Sequence, residues 1–332
     1  MTPTHTAAAR PDSSGASAIP ALTGAEPFFI VHNAGSGRSS TDEVRATIER
    51  ILTEAGRRYE IFTVEDPRQL TATASRALQA AQREQGVVVA AGGDGTLNAV
   101  AQVVLGHGVP FGILPQGTFN YFGRTYSISQ DTEASTRSLL DAVIKPVQLG
   151  MLNDKVFLVN ASLGMYPTLL EDREAFKQKY GRSRLVALWS GLVTLFRTHR
   201  RLRLHIELEG QPTILRTPTL VVGNNALQLE HIGVEATDAL ERGRLVAMGS
   251  KTTGTLALYK LLLLGLISRL GEADDVFNFD FARMVVEPHR RGRVKVAMDG
   301  EISHMRTPLV FTVAPHALPL LVPRDPQSRD RQ

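Results

Sequence analysis

The sequence predicts an α/β plus β-rich fold, an amino-terminal doubly wound α/β domain with a carboxy-terminal β-sandwich-like domain. Three observations carry this. Strand-like and helix-like segments alternate four times between residues 27 and 144, the texture after Lys145 changes to short β-like runs, and the turn Gly92-Gly93-Asp94-Gly95-Thr96-Leu97-Asn98 joins the β-branched run 86–91 to the amphipathic segment 97–105. Alternation of this kind needs right-handed crossovers and a parallel sheet sandwiched by helices, with ligands outside the carboxyl ends of the strands.

The elements follow in order. Phe28-Phe29-Ile30-Val31 reads as a strand. Ser40-Thr41-Asp42-Glu43 has capping-box spacing, and the helix behind it places Val44, Ile48, Ile51, Leu52 and Ala55 on one face before stopping at Gly56. A strand over 59–64, a helix over 67–85, the strand before the glycine turn, its helix, a strand over 109–114 and a helix over 133–144 complete the first half. The second half offers β-like runs at 156–160, 202–208, 213–222, 244–248, 294–298 and 309–313. Two apolar-faced helical insertions, 173–198 and 255–270, interrupt them. The expected division is a disordered leader over 1–26, an α/β domain over 27–145, a β-rich domain over 146–322 and a polar tail over 323–332.

Composition narrows the function. A chain of 332 residues with 43% hydrophobic content has material for two cores. The net charge of +4 is too small to argue for nucleic acid, and 6% aromatic content leaves no stripe on which bases could stack. Without cysteine there is no disulfide, thiolate nucleophile or Cys-ligated zinc, which fits a reducing, cytoplasmic setting. The densest apolar run, 261–267, is short of the ~20 residues that span a bilayer. Basic residues gather at Arg173 to Arg184, Arg197 to Arg203 and Arg290 to Lys295, all in the second half. They read either as solvated surface or as attraction to an anionic surface such as a lipid bilayer.

The glycine turn suits phosphate. Three glycines around one carboxylate allow close approach, and the free N–H groups of a helix start point into the turn. The turn is neither a Walker A loop nor a Rossmann fingerprint, because the residues that define each are missing. Taken alone it is also consistent with a tight strand-to-helix connection capped by Asp94. Two more loops leave the same sheet edge: Asn33-Ala34-Gly35-Ser36-Gly37-Arg38 after the first strand, and Pro115-Gln116-Gly117-Thr118-Phe119-Asn120 after the strand at 109–114. Asp299-Gly300-Glu301, between two β runs, reads locally as a hairpin turn.

In this order and spacing, Asn-x-x-Ser-Gly, Gly-Gly-Asp-Gly-Thr-Leu-Asn, Pro-x-Gly-Thr-x-Asn and Asp-Gly-Glu resemble the diacylglycerol kinase catalytic domain family, in particular the soluble bacterial lipid kinases, over residues 28–322. The resemblance implies ATP bound in a cleft between an α/β domain and a β-sandwich-like domain. By motif position it implies ATP contacts at Asn33, Ala34, Gly35, Ser36, Gly37, Thr63, Gly92, Gly93, Asp94, Gly95, Thr96, Leu97, Asn98 and Thr118, Asp94 beside the magnesium ion that travels with the phosphates, and Glu301 as the proton acceptor. It also implies a lipid substrate met at a membrane surface, with peripheral contact at the inner membrane and no membrane span, and it is compatible with a homodimer. Two positions depart from the family pattern. Tyr121 stands where many members carry an acid, and Arg242 stands where relatives use an Asp in a structural magnesium site; a guanidinium has no oxygen donor, so no metal is expected around residues 239–244. Two other readings stay open: a kinase for a soluble alcohol of the NAD-kinase type, and a non-catalytic nucleotide or lipid sensor.

Overall fold

A computed structural model of the chain describes residues 22–35, 41–117, 120–165, 167, 202–234, 237–251, 273, 275–289 and 292–324. The expected leader to residue 21, the polar tail from residue 325 and both helical insertions lie outside the described residues.

The first layer structure is built on a six-stranded sheet ordered β2-β1-β3-β4-β18-β5. Its strands are β1 (Phe28–Asn33), β2 (Tyr59–Val64), β3 (Val87–Gly92), β4 (Phe111–Pro115), β5 (Ala142–Val147) and β18 (Leu318–Pro323). β1 to β4 and β18 are parallel, and β5 closes the edge antiparallel to β18. β3 is buried along its whole length, as expected for a central strand covered on both faces. Helices α2 (Leu70–Glu84) and α3 (Asp94–Val104) cover one face; α1 (Thr41–Glu54) and α5 (Thr132–Leu140) cover the other. Asp66 caps the 3₁₀ turn Pro67–Gln69 ahead of α2, and Asp131 caps α5 by accepting the Ala134 N–H at 2.8 Å.

Three details differ from the sequence reading. The stretch Ala142-Val143-Ile144 is strand, not the end of a helix, because Leu140 ends α5 and β5 pairs with β18. The glycine turn forms the first turn of α3 instead of preceding the helix. The carboxy-terminal strand β18, expected with the β-rich half, is inserted between β4 and β5 and buries Leu318, Leu320 and Leu321 in the α/β core.

The second structure is a sandwich of two antiparallel six-stranded sheets. One is ordered β10-β9-β14-β17-β6-β7, the other β13-β12-β11-β8-β15-β16. The first comprises β6 (Gly150–Leu152), β7 (Lys155–Phe157), β9 (Leu202–Leu208), β10 (Gln211–Thr217), β14 (Arg283–Pro288) and β17 (Leu309–Val313). The second comprises β8 (Asn160–Gly164), β11 (Thr219–Gly223), β12 (Leu245–Ser250), β13 (Val276–Phe281), β15 (Arg293–Met298) and β16 (Glu301–Arg306). The run 213–222 thus divides at Pro218 into two strands of opposite sheets. Alternating side chains such as Leu204, Ile206, Met284, Val286, Leu220 and Val222 fill the space between the sheets. Short helices α4 (Tyr121–Thr125), α6 (Ala226–His231) and α7 (Thr237–Glu241) complete the described elements.

The two bodies are tied by α3. Asn98 and Gln102, one helical turn apart, face β7: the Asn98 amide donates to the Val156 carbonyl at 3.0 Å, and the Val156 N–H donates to Gln102 Oε1 at 2.8 Å. Val156, Leu158 and Val159 join Leu97, Val100 and Ala101 in one continuous apolar cluster.

The placement of β18 gives a direct expectation. Leu320→Ala should lower the stability of the α/β body by about 2–5 kcal/mol, the cost of truncating a fully buried leucine. A chemical denaturation midpoint unmoved by the substitution would place that strand outside the core.

Candidate active site

The carboxyl ends of β1, β3 and β4 deliver three loops to one edge, and each is built for close approach. Gly93 is the extended N-cap of α3, so the N–H groups of the helix's first turn project toward the loop after β4. A methyl group on Gly117 would lie 3.2 Å from the Gly93 Cα and 2.8 Å from Asn120 Oδ1, so a side chain there would force the loops apart. The Gln116 N–H donates to the Gly92 carbonyl at 2.9 Å, and the Asn120 amide donates to the Gly117 carbonyl at 2.6 Å. Asn120 itself adopts a left-handed conformation, φ 44°. From the first loop, the Asn33 amide donates to Thr96 Oγ1 at 2.8 Å, and Asn33 Oδ1 accepts the Gly35 N–H at 3.1 Å. Thr63 lies on β2 opposite His32, with Arg45 donating to its hydroxyl at 3.4 Å. Ser36, Gly37 and Thr118 lie outside the described residues.

Two residues of the motif stand apart. Leu97 is fully buried in the core and its N–H is bonded to the Gly93 carbonyl, so its part is structural. Asn98 turns its amide away from the turn, toward β7 and toward a carboxylate that sequence reasoning did not single out by itself, Asp299.

Asp299 and Gly300 form the two-residue turn between β15 and β16, both with positive φ, 46° and 87°. Asp-Gly is favoured there because both central residues of such a hairpin turn must be left-handed. The turn carries Asp299 back onto the segment between β7 and β8. Its Oδ2 accepts the Asn98 amide and the Leu158 N–H, both at 2.7 Å; its Oδ1 accepts the Val159 and Asn160 N–H groups at 2.8 and 3.1 Å. Burial pushes this carboxyl up, and the four N–H groups pull against it. The net shift is upward, and the two donors on each oxygen hold the carboxyl in place.

Glu301 follows at the start of β16, paired with Met298. The residue is exposed, but its carboxylate lies against α3: a methyl group at Gly95 would overlap Oε1. Residues 95 and 301, about two hundred positions apart in sequence, therefore meet. Burial and then the Asp299 charge push the Glu301 carboxyl above the usual range. Asp94 is raised to about 6, chiefly by burial and then by the Asp299 charge, with the Asn120 N–H working against both.

The donor set fits a phosphate group and a divalent cation. Asp94 Oδ1, both side-chain polar atoms of Gln116 and Asn120 Oδ1 are buried and lack a hydrogen-bond partner, a grouping at the glycine turn that native cores avoid unless a ligand completes them. Among the described residues no cluster of three or more His, Asp or Glu has metal-binding spacing. A cation here would share one or two carboxylates with the oxygens of a phosphate, the usual situation for magnesium. The other departure from the family pattern lies elsewhere: Arg242 meets Asp280 at 3.4 Å, and Arg244 meets Glu209 at 3.0 Å and Asp280 at 2.9 Å. Tyr121 packs edge-on against His231 at 5.9 Å, with Arg124 over its ring.

With this geometry in hand, the comparisons agree with the motifs. Residues 27–152 match the model of the diacylglycerol kinase catalytic domain family. The chain is 32% identical to a diacylglycerol kinase of Bacillus subtilis over 43% of its length and 47% of that protein. It is 27% identical to a probable YegS-like lipid kinase of Cronobacter sakazakii over 46% of its length and 51% of that protein. It is 24% identical to an uncharacterized Synechocystis protein, sll0036, over 71% of its length and 54% of that protein. The chain thus spans about half the length of the curated relatives it matches. The crystal structure of a putative diacylglycerol kinase from Bacillus anthracis superposes with a TM-score of 0.69 at 20% identity, covering 90% of this chain and 96% of that one, which establishes the shared fold.

Two outcomes follow. Asp299→Asn turns an amide toward N–H donors and should cost about 3–5 kcal/mol, seen as a lowered denaturation midpoint; an unchanged midpoint would show that those hydrogen bonds do not hold the hairpin. Asp94 carries a folded pKa above its ordinary value of 3.8, so the folded state binds the extra proton and loses stability as pH rises from about 4 to 6. Asp94→Asn should therefore raise the melting temperature at pH 7 to 8 and flatten that pH dependence. Equal melting of both proteins at pH 8 would contradict the buried, disfavoured charge.

Proposed function

We propose that this chain, whose amino-terminal half matches the diacylglycerol kinase catalytic domain, is an ATP-dependent lipid kinase. It moves the γ-phosphate of ATP onto a hydroxyl of diacylglycerol or a related lipid. The observation that carries the reading is the meeting of the Glu301 carboxylate with the first turn of α3, beside which Asp94, Gln116 and Asn120 hold buried polar atoms without partners.

Phosphoryl transfer to an alcohol needs the donor held in line, its charge offset, and a carboxylate beside the hydroxyl. The α3 N–H groups of residues 94–96 would orient the phosphates, Asn33 would steady Thr96 and the first loop, and Gly93 and Gly117 keep the loops close. Asp94, with Gln116 and Asn120 beside it, would hold a magnesium ion bound with the phosphates; that ion supplies compensation for the charge on the transferring group. Glu301 would accept the hydroxyl proton on a carboxylate whose raised pKa brings it nearer the working pH, which favours a general base. Asp299 would position Glu301 without meeting substrate.

The soluble-alcohol reading is disfavoured by the Pro-x-Gly-Thr-x-Asn loop over 115–120 and by the carboxy-terminal Asp299-Gly300-Glu301 turn. Among the described residues no helix is long and apolar enough to cross a membrane, so the lipid would be met from the membrane surface.

Glu301→Gln should lower turnover by about 10²–10⁴ while nucleotide affinity, read by calorimetry with a non-hydrolysable analogue, stays near wild type. Incubation of wild type with Mg-ATP and a panel of diacylglycerol, sphingoid base and NAD, followed by mass spectrometry, should show a phosphorylated lipid. Phosphorylation of NAD alone, or full turnover by Glu301→Gln, would overturn the reading.

A further inference from the structure

Strand register brings like charges face to face at one end of the sandwich. Arg203 of β9 lies directly opposite Arg216 of β10, and Arg293 of β15 lies directly opposite Arg306 of β16. Directly opposed like charges weaken a sheet, and among the described residues none of these four guanidinium groups has an acidic partner.

Both pairs sit at the same end, one on the outer face of each sheet, since Leu204, Leu215, Val296 and Met305 fill the space between the sheets. The His289 N–H donates to the Arg203 carbonyl, joining the end of β14 to β9, and Arg293 begins the next strand four residues on. The Thr217 hydroxyl, one residue past Arg216, donates to the Ser250 carbonyl at 2.8 Å, which adds Lys251. Lys295 and His304 form the neighbouring cross-strand pair on β15 and β16. Among the described residues the acids at this end are Glu287, Asp275 and Asp154, whose neighbour Asn153 donates to the Arg306 carbonyl at 3.4 Å. Ile214, half-exposed and the exposed large hydrophobic of the described residues, lies on β10 two positions from Arg216.

We propose that this end of the sandwich is the face that docks on an anionic lipid leaflet, a proposal that rests on the lipid-kinase reading for its purpose but not for its test. The repulsion within each pair is relieved when lipid phosphates lie between the guanidinium groups, and Ile214 can enter the headgroup region beside them. The hairpin of β15 and β16 links the two functions. It bears the arginine pair at one end and Glu301 at the other, about 17 Å away at ~3.3 Å per residue.

The test uses the full chain and vesicles of phosphatidylcholine alone or mixed equally with phosphatidylglycerol, scored by co-sedimentation at low and high sodium chloride. Wild type should bind the mixed vesicles, with binding lost in salt and absent on phosphatidylcholine. The fourfold variant R203Q/R216Q/R293Q/R306Q should bind the mixed vesicles roughly 10²–10³-fold more weakly, at about fivefold per charge. A control neutralising Arg50, Arg68, Arg83 and Arg137 on the α/β body should bind as wild type. The fourfold variant, and the milder R216Q/R306Q, should melt no lower than wild type and phosphorylate detergent-dispersed lipid equally well. Wild-type vesicle binding by the fourfold variant, a lowered melting temperature in both variants, lost activity in detergent, or tighter binding to duplex DNA than to vesicles at equal salt would each overturn the proposal. Vesicle binding that follows the arginines in a protein with no lipid kinase activity would retain the docking face and remove only the kinase reading.

Discussion

The carboxylate of Asp299 is the constraint on which the rest of the molecule depends. It sits at the tip of a hairpin, saturated by the Asn98 amide and by three consecutive backbone N–H groups at Leu158, Val159 and Asn160. Those donors belong to three different parts of the chain: helix α3, the segment linking the two sheets of the sandwich, and the start of the central strand β8. A group of this kind is costly to desolvate and only stable when fully partnered. Its burial therefore selects one docking of the sandwich against α3, and with it one position for Glu301 two residues later.

The consequence is an electrostatic one. Burial, and after it the neighbouring charge of Asp299, pushes both the Asp94 and the Glu301 carboxyls upward. The folded protein thus carries an unfavourable concentration of like charge at the end of a helix whose N-terminal dipole offsets only part of it. Strain of this sort is the expected mark of a functional site, since natural proteins retain such local costs mainly where function needs them. The glycines serve the same end by removing side chains from the places where loops and carboxylates must touch. Gly95 is the clearest case, since α3 would gain helix propensity from alanine there and would lose the contact with Glu301.

Much of this was legible in the sequence because the signals were local. The β-branched run before Gly92 and the apolar spacing of α1 both arise from short-range preferences that tertiary packing left in place. The Asp-Gly turn was legible as a hairpin for the same reason. What escaped was non-local. Nothing near Leu318-Pro319-Leu320 says that the strand returns to the first sheet, and nothing near Asp299 says that its donors come from Asn98 and from residues 158–160. Strands β13, β14 and β16 were missed because their outward residues are mixed polar and apolar, which blurs the alternation. Pro218 divides one β-like run between two sheets, a break that hydropathy alone does not register.

The central claim is that Asp299 clamps the hairpin onto α3 through the amides of the segment between β7 and β8. Amide hydrogen exchange by NMR tests it most directly, because Leu158 and Val159 lie between strands and have Asp299 as their acceptor. The account predicts that these amides exchange as slowly as those of the buried strand β3, only through global unfolding. Exchange at the rate of open loops, with β3 still protected, would contradict it.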